Sequence, residues 1–96
     1  MIVGVLKEIK TREYRVGMVP AGVQQLVQAG HTVLVESSAG LGSGIADDNY
    51  KSVGASLISS AKEIWERADM VVKVKEPIER EYDFMREKQI IYTYFL

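Results

Sequence analysis

Five short runs of β-branched and other apolar residues are separated by longer stretches in which apolar positions recur at helical spacing. The runs are Ile2 to Leu6, Thr32 to Glu36, Ala55 to Ile58, Met70 to Val74 and Gln89 to Phe95. Their near-continuous apolar character predicts strands buried on both faces, and their alternation with helices predicts repeated β-α-β units in a mostly parallel sheet. The first helix is expected to open at Pro20, whose fixed φ suits a first helical position, and to close at Gly30, with Val23, Leu26 and Val27 as its apolar stripe. A short second helix is expected from about Asp47, placed to cap it, to Gly54. Ser60 and Glu63 have the spacing of a capping box for a third helix that carries Ile64, Trp65 and Ala68. A fourth is expected from Glu79 to Glu87, packed down by Tyr82 and Met85, with Phe84 as a further candidate. The expected fold is therefore one α/β unit over residues 1–96, a three-layer α/β/α arrangement of the flavodoxin-like (Rossmann-like) kind, incomplete as it stands.

Composition narrows the chemistry. Twelve Lys and Arg against 13 Asp and Glu leave a formal net charge of -1 in a chain of 96 residues. The signs are mixed and no basic run could follow a phosphate backbone, so nucleic acid is not an expected partner. The absence of cysteine excludes disulfides, thiolate metal sites and a Cys nucleophile. The single histidine and the unclustered carboxylates suggest no metal site. No apolar stretch approaches the ~20 residues that span a bilayer, and no basic segment precedes the first apolar run, so a cytoplasmic location is the default expectation.

In an open parallel sheet, ligands bind in the crevice outside the carboxyl ends of the strands. That rule selects the segments after the first, second and fourth runs, and it brings Arg15 and Lys75 to one edge although 60 positions separate them. Arg15 offers a planar donor fork that matches a carboxylate, and Lys75 a compact ammonium that can polarise a carbonyl oxygen. Together they suit a 2-oxo acid, although each taken alone reads most simply as a solvated charge. The glycines of "AGLGSG", at 40, 42 and 44, are spaced G-x-G-x-G with Ile45 in the slot where a dinucleotide fingerprint needs glycine. A turn is favoured there over a phosphate cradle, and no cofactor-binding residue is assigned. His31 falls between a helix cap and a strand, on the opposite edge, and reads as structural or exposed. Trp65 and the tyrosines near the end read as core aromatics.

The motifs "GVLKEIK", "REYRVGMVPAGVQQLVQAGHTVLVE", "AGLGSG", "ADMVVKVKEP" and "REKQIIYTYF" resemble the N-terminus of bacterial NAD-dependent alanine dehydrogenases over essentially the whole chain. The resemblance implies reversible oxidative deamination of L-alanine to pyruvate and ammonia, with NAD held by a Rossmann domain that divides the catalytic domain into two parts. The chain resembles only the first part. By this resemblance Arg15 corresponds to the arginine that holds the pyruvate carboxylate, and Lys75 to the lysine that hydrogen-bonds the substrate carbonyl. The family's catalytic histidine belongs to a "TYLHLA"-like motif, and its position here is occupied by, or lost near, Leu96. The same N-terminal pattern occurs in alpha subunits of proton-translocating nicotinamide nucleotide transhydrogenases, which generally lack a lysine at the position of Lys75.

The resulting expectation is a truncated alanine dehydrogenase: an oxidoreductase family member that is inactive alone, has no cofactor site of its own, and binds pyruvate weakly if at all. The alternative is a non-catalytic module for self-association or interaction, or the N-terminal piece of a transhydrogenase alpha subunit. The apolar segment Ile90 to Leu96 is expected to seek cover in a homodimer or higher homo-oligomer, with Tyr92, Tyr94 or Phe95 in the interface.

Overall fold

The computed structural model describes residues 1–8, 15–74 and 79–93. Strands β1 (Ile2–Val5), β2 (Thr32–Glu36), β3 (Ser56–Ile58), β4 (Met70–Lys73) and β5 (Ile90–Thr93) alternate with helices α1 (Pro20–Gln28), α2 (Asp47–Lys51), α3 (Ala61–Arg67) and α4 (Glu79–Tyr82). All neighbouring strands run parallel in the order β3-β2-β1-β4-β5, the doubly wound arrangement with a reversal between β1 and β4. Among the described residues no helix is long and apolar enough to cross a membrane.

Strand alternation divides the core into two layers. Val3 and Val5 of β1, Val33 and Val35 of β2 and Val72 of β4 point to one face, where Val23 of α1 and Tyr50 of α2 cover them. Leu6, Leu34 and Val71 point to the other, beneath Ile64 and Trp65 of α3. Gly4 is where the second layer comes closest, because a Cβ there would run into the side chains of Ile64 and Ala68. A bare backbone lets α3 settle onto β1.

Local signals set most helix ends. Pro20 stands in the first turn of α1, and the helix closes with Gly30 at φ +95. The Gly30 amide donates to Val27 O and the His31 amide to Leu26 O, the paired bonds of a Schellman turn. Ser60 caps α3 by accepting from the Glu63 amide at 3.3 Å.

Three expectations need correction. Asp47 is the first residue of α2 and does not cap it. The cap position is Ala46, and Asp47 Oδ1 accepts instead from the Ser38 amide at 2.8 Å, tying α2 to the turn after β2. Helix α4 ends at Tyr82, well short of Glu87, and it is Phe84 that packs beneath α3 while Tyr82 and Met85 are exposed. Burial on both faces holds for β1, β2 and β4 but not for the two edge strands: no residue of β3 is fully buried, and on β5 Ile90 and Tyr92 are 50% and 52% exposed. These two align with Met70 and Val72 of β4, on the face covered by α1 and α2, but those helices pack chiefly on β2 and β3, at the far side of the sheet from β5. Tyr92 is thus not a core aromatic, while Tyr94 lies outside the described residues.

Candidate functional site

Because the crossovers from β1 run towards β2 and β3 while β4 and β5 lie on its other side, the connections leaving β1 and β4 part company at their carboxyl ends. The crevice between them is where a doubly wound sheet receives a ligand. Its described walls are Leu6 to Glu8 after β1, the segment 15–19 leading into α1, and Lys73 and Val74 at the end of β4.

The segment before α1 is pressed onto β4. Gly17 is buried, and a Cβ on it would stand 2.9 Å from Val72 Cγ1 and 3.0 Å from Val72 O. Val16 and Met18 pack against the adjoining core layer, and the Tyr50 hydroxyl donates to Met18 O at 2.8 Å. Arg15, two residues ahead of Gly17, is exposed at this carboxyl edge. Lys75, the other expected substrate ligand, lies outside the described residues, as does Leu96.

The crevice holds a charged cluster that pattern reading missed. Lys73 Nζ lies 3.3 Å from Glu8 Oε1 and 3.2 Å from Glu81 Oε2, and these three side chains are only 2%, 2% and 5% exposed. The second oxygen of Glu8 accepts from the Val74 amide at 3.1 Å, extending the β1–β4 ladder by one side-chain bond. Glu36, at the end of β2, accepts from the Lys7 amide at 2.8 Å. Burial pushes the Glu36 carboxyl above the ordinary carboxylate range, opposed by the Lys7 amide bond and by the charges of Lys7 and Lys73, and reinforced slightly by Glu81. One signal could have revealed the cluster: a lysine enclosed in the apolar run "MVVKV" of a buried strand has to find a counter-charge.

The glycine-rich segment after β2 forms a 3-10 turn, Leu41–Ser43, closed by Gly44 at φ +77. The space a Cβ would need at Gly40 is filled by Ile45 and Tyr50, and Asp47 already takes the Ser38 amide. The next helix is five residues long and opens with Asp47 and Asp48, which repel phosphate. This turn does not fit a dinucleotide pyrophosphate. His31 stands on the amino-terminal edge, its Nδ1 3.4 Å from the N-terminal amine. An open hollow of about 490 Å³ lies on that same far edge, lined by Asp69, Arg86 and Lys88 among others. Its Arg86 side chain is turned to Trp65 O and Ala68 O at the end of α3, where Gln89 donates as well, and so braces the fold.

A family profile described as "Alanine dehydrogenase/PNT, N-terminal domain" matches residues 4–96. Among individual relatives, the alanine dehydrogenase of Bilophila wadsworthia (strain 3_1_6) is 56% identical over 94 residues, and that of Bacillus subtilis (strain 168) is 51% identical over 94. Each comparison takes in 98% of this chain and 25% of the relative, so the chain spans about a quarter of the length of the curated relatives it matches. A solved L-alanine dehydrogenase superposes with a TM-score of 0.94 at 53% identity, over 98% of this chain and 26% of that one. A transhydrogenase from Sinorhizobium meliloti superposes with a TM-score of 0.89 at 32% identity, over 97% of this chain and 27% of that one.

Proposed function

This chain belongs to the alanine dehydrogenase/PNT N-terminal domain family, and from that premise we propose that it forms the first part of the substrate domain of an NAD-dependent alanine dehydrogenase. The reaction is the reversible conversion of L-alanine, NAD+ and water into pyruvate, ammonium, NADH and a proton. The observation that carries this reading is the seating of Gly17 on Val72, which holds Arg15 at the switch-point crevice. There the guanidinium pairs with the substrate carboxylate through two parallel N–H···O bonds, and Lys75 donates to the carbonyl oxygen, drawing electrons from the carbon that receives hydride. The nicotinamide supplies that hydride, and the parts that hold it belong to the remaining three-quarters of the relatives' length. Residues 1–96 alone therefore bind pyruvate weakly and turn nothing over.

The test is a graft in which residues 1–93 replace the matching segment of the Bacillus subtilis alanine dehydrogenase, which leaves the position of Leu96 to that enzyme. NADH oxidation by pyruvate and ammonium should be restored in the graft and absent from the 96 residues alone. It should fall by orders of magnitude in Arg15→Ala and Lys75→Ala. A folded graft that binds NADH but does not turn over pyruvate sinks the proposal. A second reading, association with another copy of the chain, is favoured by the half-exposed Ile90 and Tyr92 on the edge strand β5. Light scattering of the 96 residues at high micromolar concentration should then show a dimer that Ile90→Lys disrupts. A monomer in both cases rejects it.

A further inference from the structure

The Lys73 ammonium is a charged group in a place where charge is costly. It stands on the last residue of β4, with neighbours Val72 and Val74 both buried, and its own residue is 1% exposed. Removing one ammonium and two carboxylates from water costs several kcal/mol per ion before their attraction is counted, and apolar residues of similar volume could fill such a site without that cost. The location suggests what the cluster gives in return. Glu8 is the last described residue before segment 9–14, which leads to Arg15, and Glu81 is in α4, which follows segment 75–78. Lys73 thus ties the departure of one segment to the helix that receives the other, while the Glu8 bond to the Val74 amide anchors the backbone one residue before Lys75. Strand alternation places Leu6 and Val71 on the α3 face, and Glu8 and Lys73 continue that alternation by two residues each. The cluster therefore extends the inner layer of the core to the floor of the crevice.

Resting on the function proposed above, we propose that Lys73, bridging Glu8 and Glu81, is a positioning residue for the 2-oxo acid: it fixes Glu8 beyond β1 and Val74 beyond β4, the points from which the chain runs on to Arg15 and Lys75, without touching the substrate. A displacement of about 1 Å at a substrate ligand is enough to cost on the order of 100-fold in rate.

The experiment uses the same graft, with steady-state kinetics for pyruvate and for NADH measured separately. The unmodified graft tests the functional reading, and its inactivity would overturn that reading before any variant is made. Given an active graft, Lys73→Met should raise the KM for pyruvate and lower kcat/KM for pyruvate by about 10- to 100-fold, with the KM for NADH within about twofold. Because the cluster acts as a unit, the double variant Lys73→Met/Glu8→Gln should be no worse than Lys73→Met alone. Glu81→Gln, nearly isosteric and leaving Lys73 its bond to Glu8, should show a smaller pyruvate-selective loss, and it carries the test if Lys73→Met fails to fold. A purely structural role predicts instead less active protein, seen as a lower kcat with the pyruvate KM unchanged. That result, or KM values for pyruvate and NADH that rise in parallel in Glu81→Gln, overturns the proposal.

Discussion

Gly17→Ala probes the contact that places Arg15. The φ at position 17 is not in the left-handed region, so alanine meets no backbone strain there. The obstacle is space: the new methyl would stand 2.9 Å from Val72 Cγ1, 3.0 Å from Val72 O and 3.2 Å from Val72 C. The side-chain methyl could rotate away, but the carbonyl belongs to β4 and is held by the sheet, so the segment 15–18 must lift. Overpacking of this kind costs about 1–3 kcal/mol, while replacing glycine by alanine returns roughly 0.4–1 kcal/mol by restricting the unfolded chain. The net is a destabilisation of about 1–2 kcal/mol, or a fall in Tm of roughly 5–15 °C for a domain this small. Trp65, the only tryptophan and fully buried, reports unfolding directly through its emission in a urea titration. Gly30→Ala separates space from conformation, because nothing lies within 4 Å of a Cβ there but φ is +95. It should lose about 1 kcal/mol through strain alone, without a change in pyruvate kinetics of the graft. Gly17→Ala should impair both stability and the pyruvate KM. If it is as stable as the parent to within about 0.3 kcal/mol and kinetically silent, the segment before α1 does not press on β4, and the placement of Arg15 falls with it.

Two other substitutions test the surroundings of the crevice. Tyr50→Phe removes the donor to Met18 O from a residue that is fully buried, and should cost about 1–2 kcal/mol in urea unfolding; no loss would mean that the carbonyl finds another donor. Glu36→Gln tests the effect of burial on that carboxyl. Its folded-state pKa is raised, so between pH 4.5 and that raised value the native state binds more protons than the unfolded one. The stability contributed by protonated Glu36 is therefore full below pH 4.5 and lost as pH rises through the raised pKa. Thermal melts of Glu36→Gln should gain on the parent as pH rises through that window and then level off, whereas a constant difference across pH 4–7 would show that burial does not perturb this carboxyl.

The strands, their order along the chain and most helix ends were legible in the sequence because the signals are local. A run such as "TVLVE" has nowhere to go but a buried strand, Pro20 and Gly30 act through their own dihedral limits, and the hydroxyl of Ser60 needs only the amide three residues on. That residue 15 falls on the carboxyl edge also followed, since the connection after a strand begins at that strand's carboxyl end, whereas the reversal between β1 and β4 that opens a crevice there needed the strand order. Tertiary structure decided what depends on partners distant in sequence. Asp47 could cap its own helix or reach the Ser38 amide, and the turn after β2 settled the choice. The apolar Ile90 and Tyr92 read as core, but the position of β5 at the end of the sheet, on the far side from α1 and α2, leaves them half in solvent. The meeting of Glu8, Lys73 and Glu81 requires the chain to return beside β1 after a separation of 65 positions, and no local periodicity records that a buried ammonium will find its carboxylates only when β4 does so.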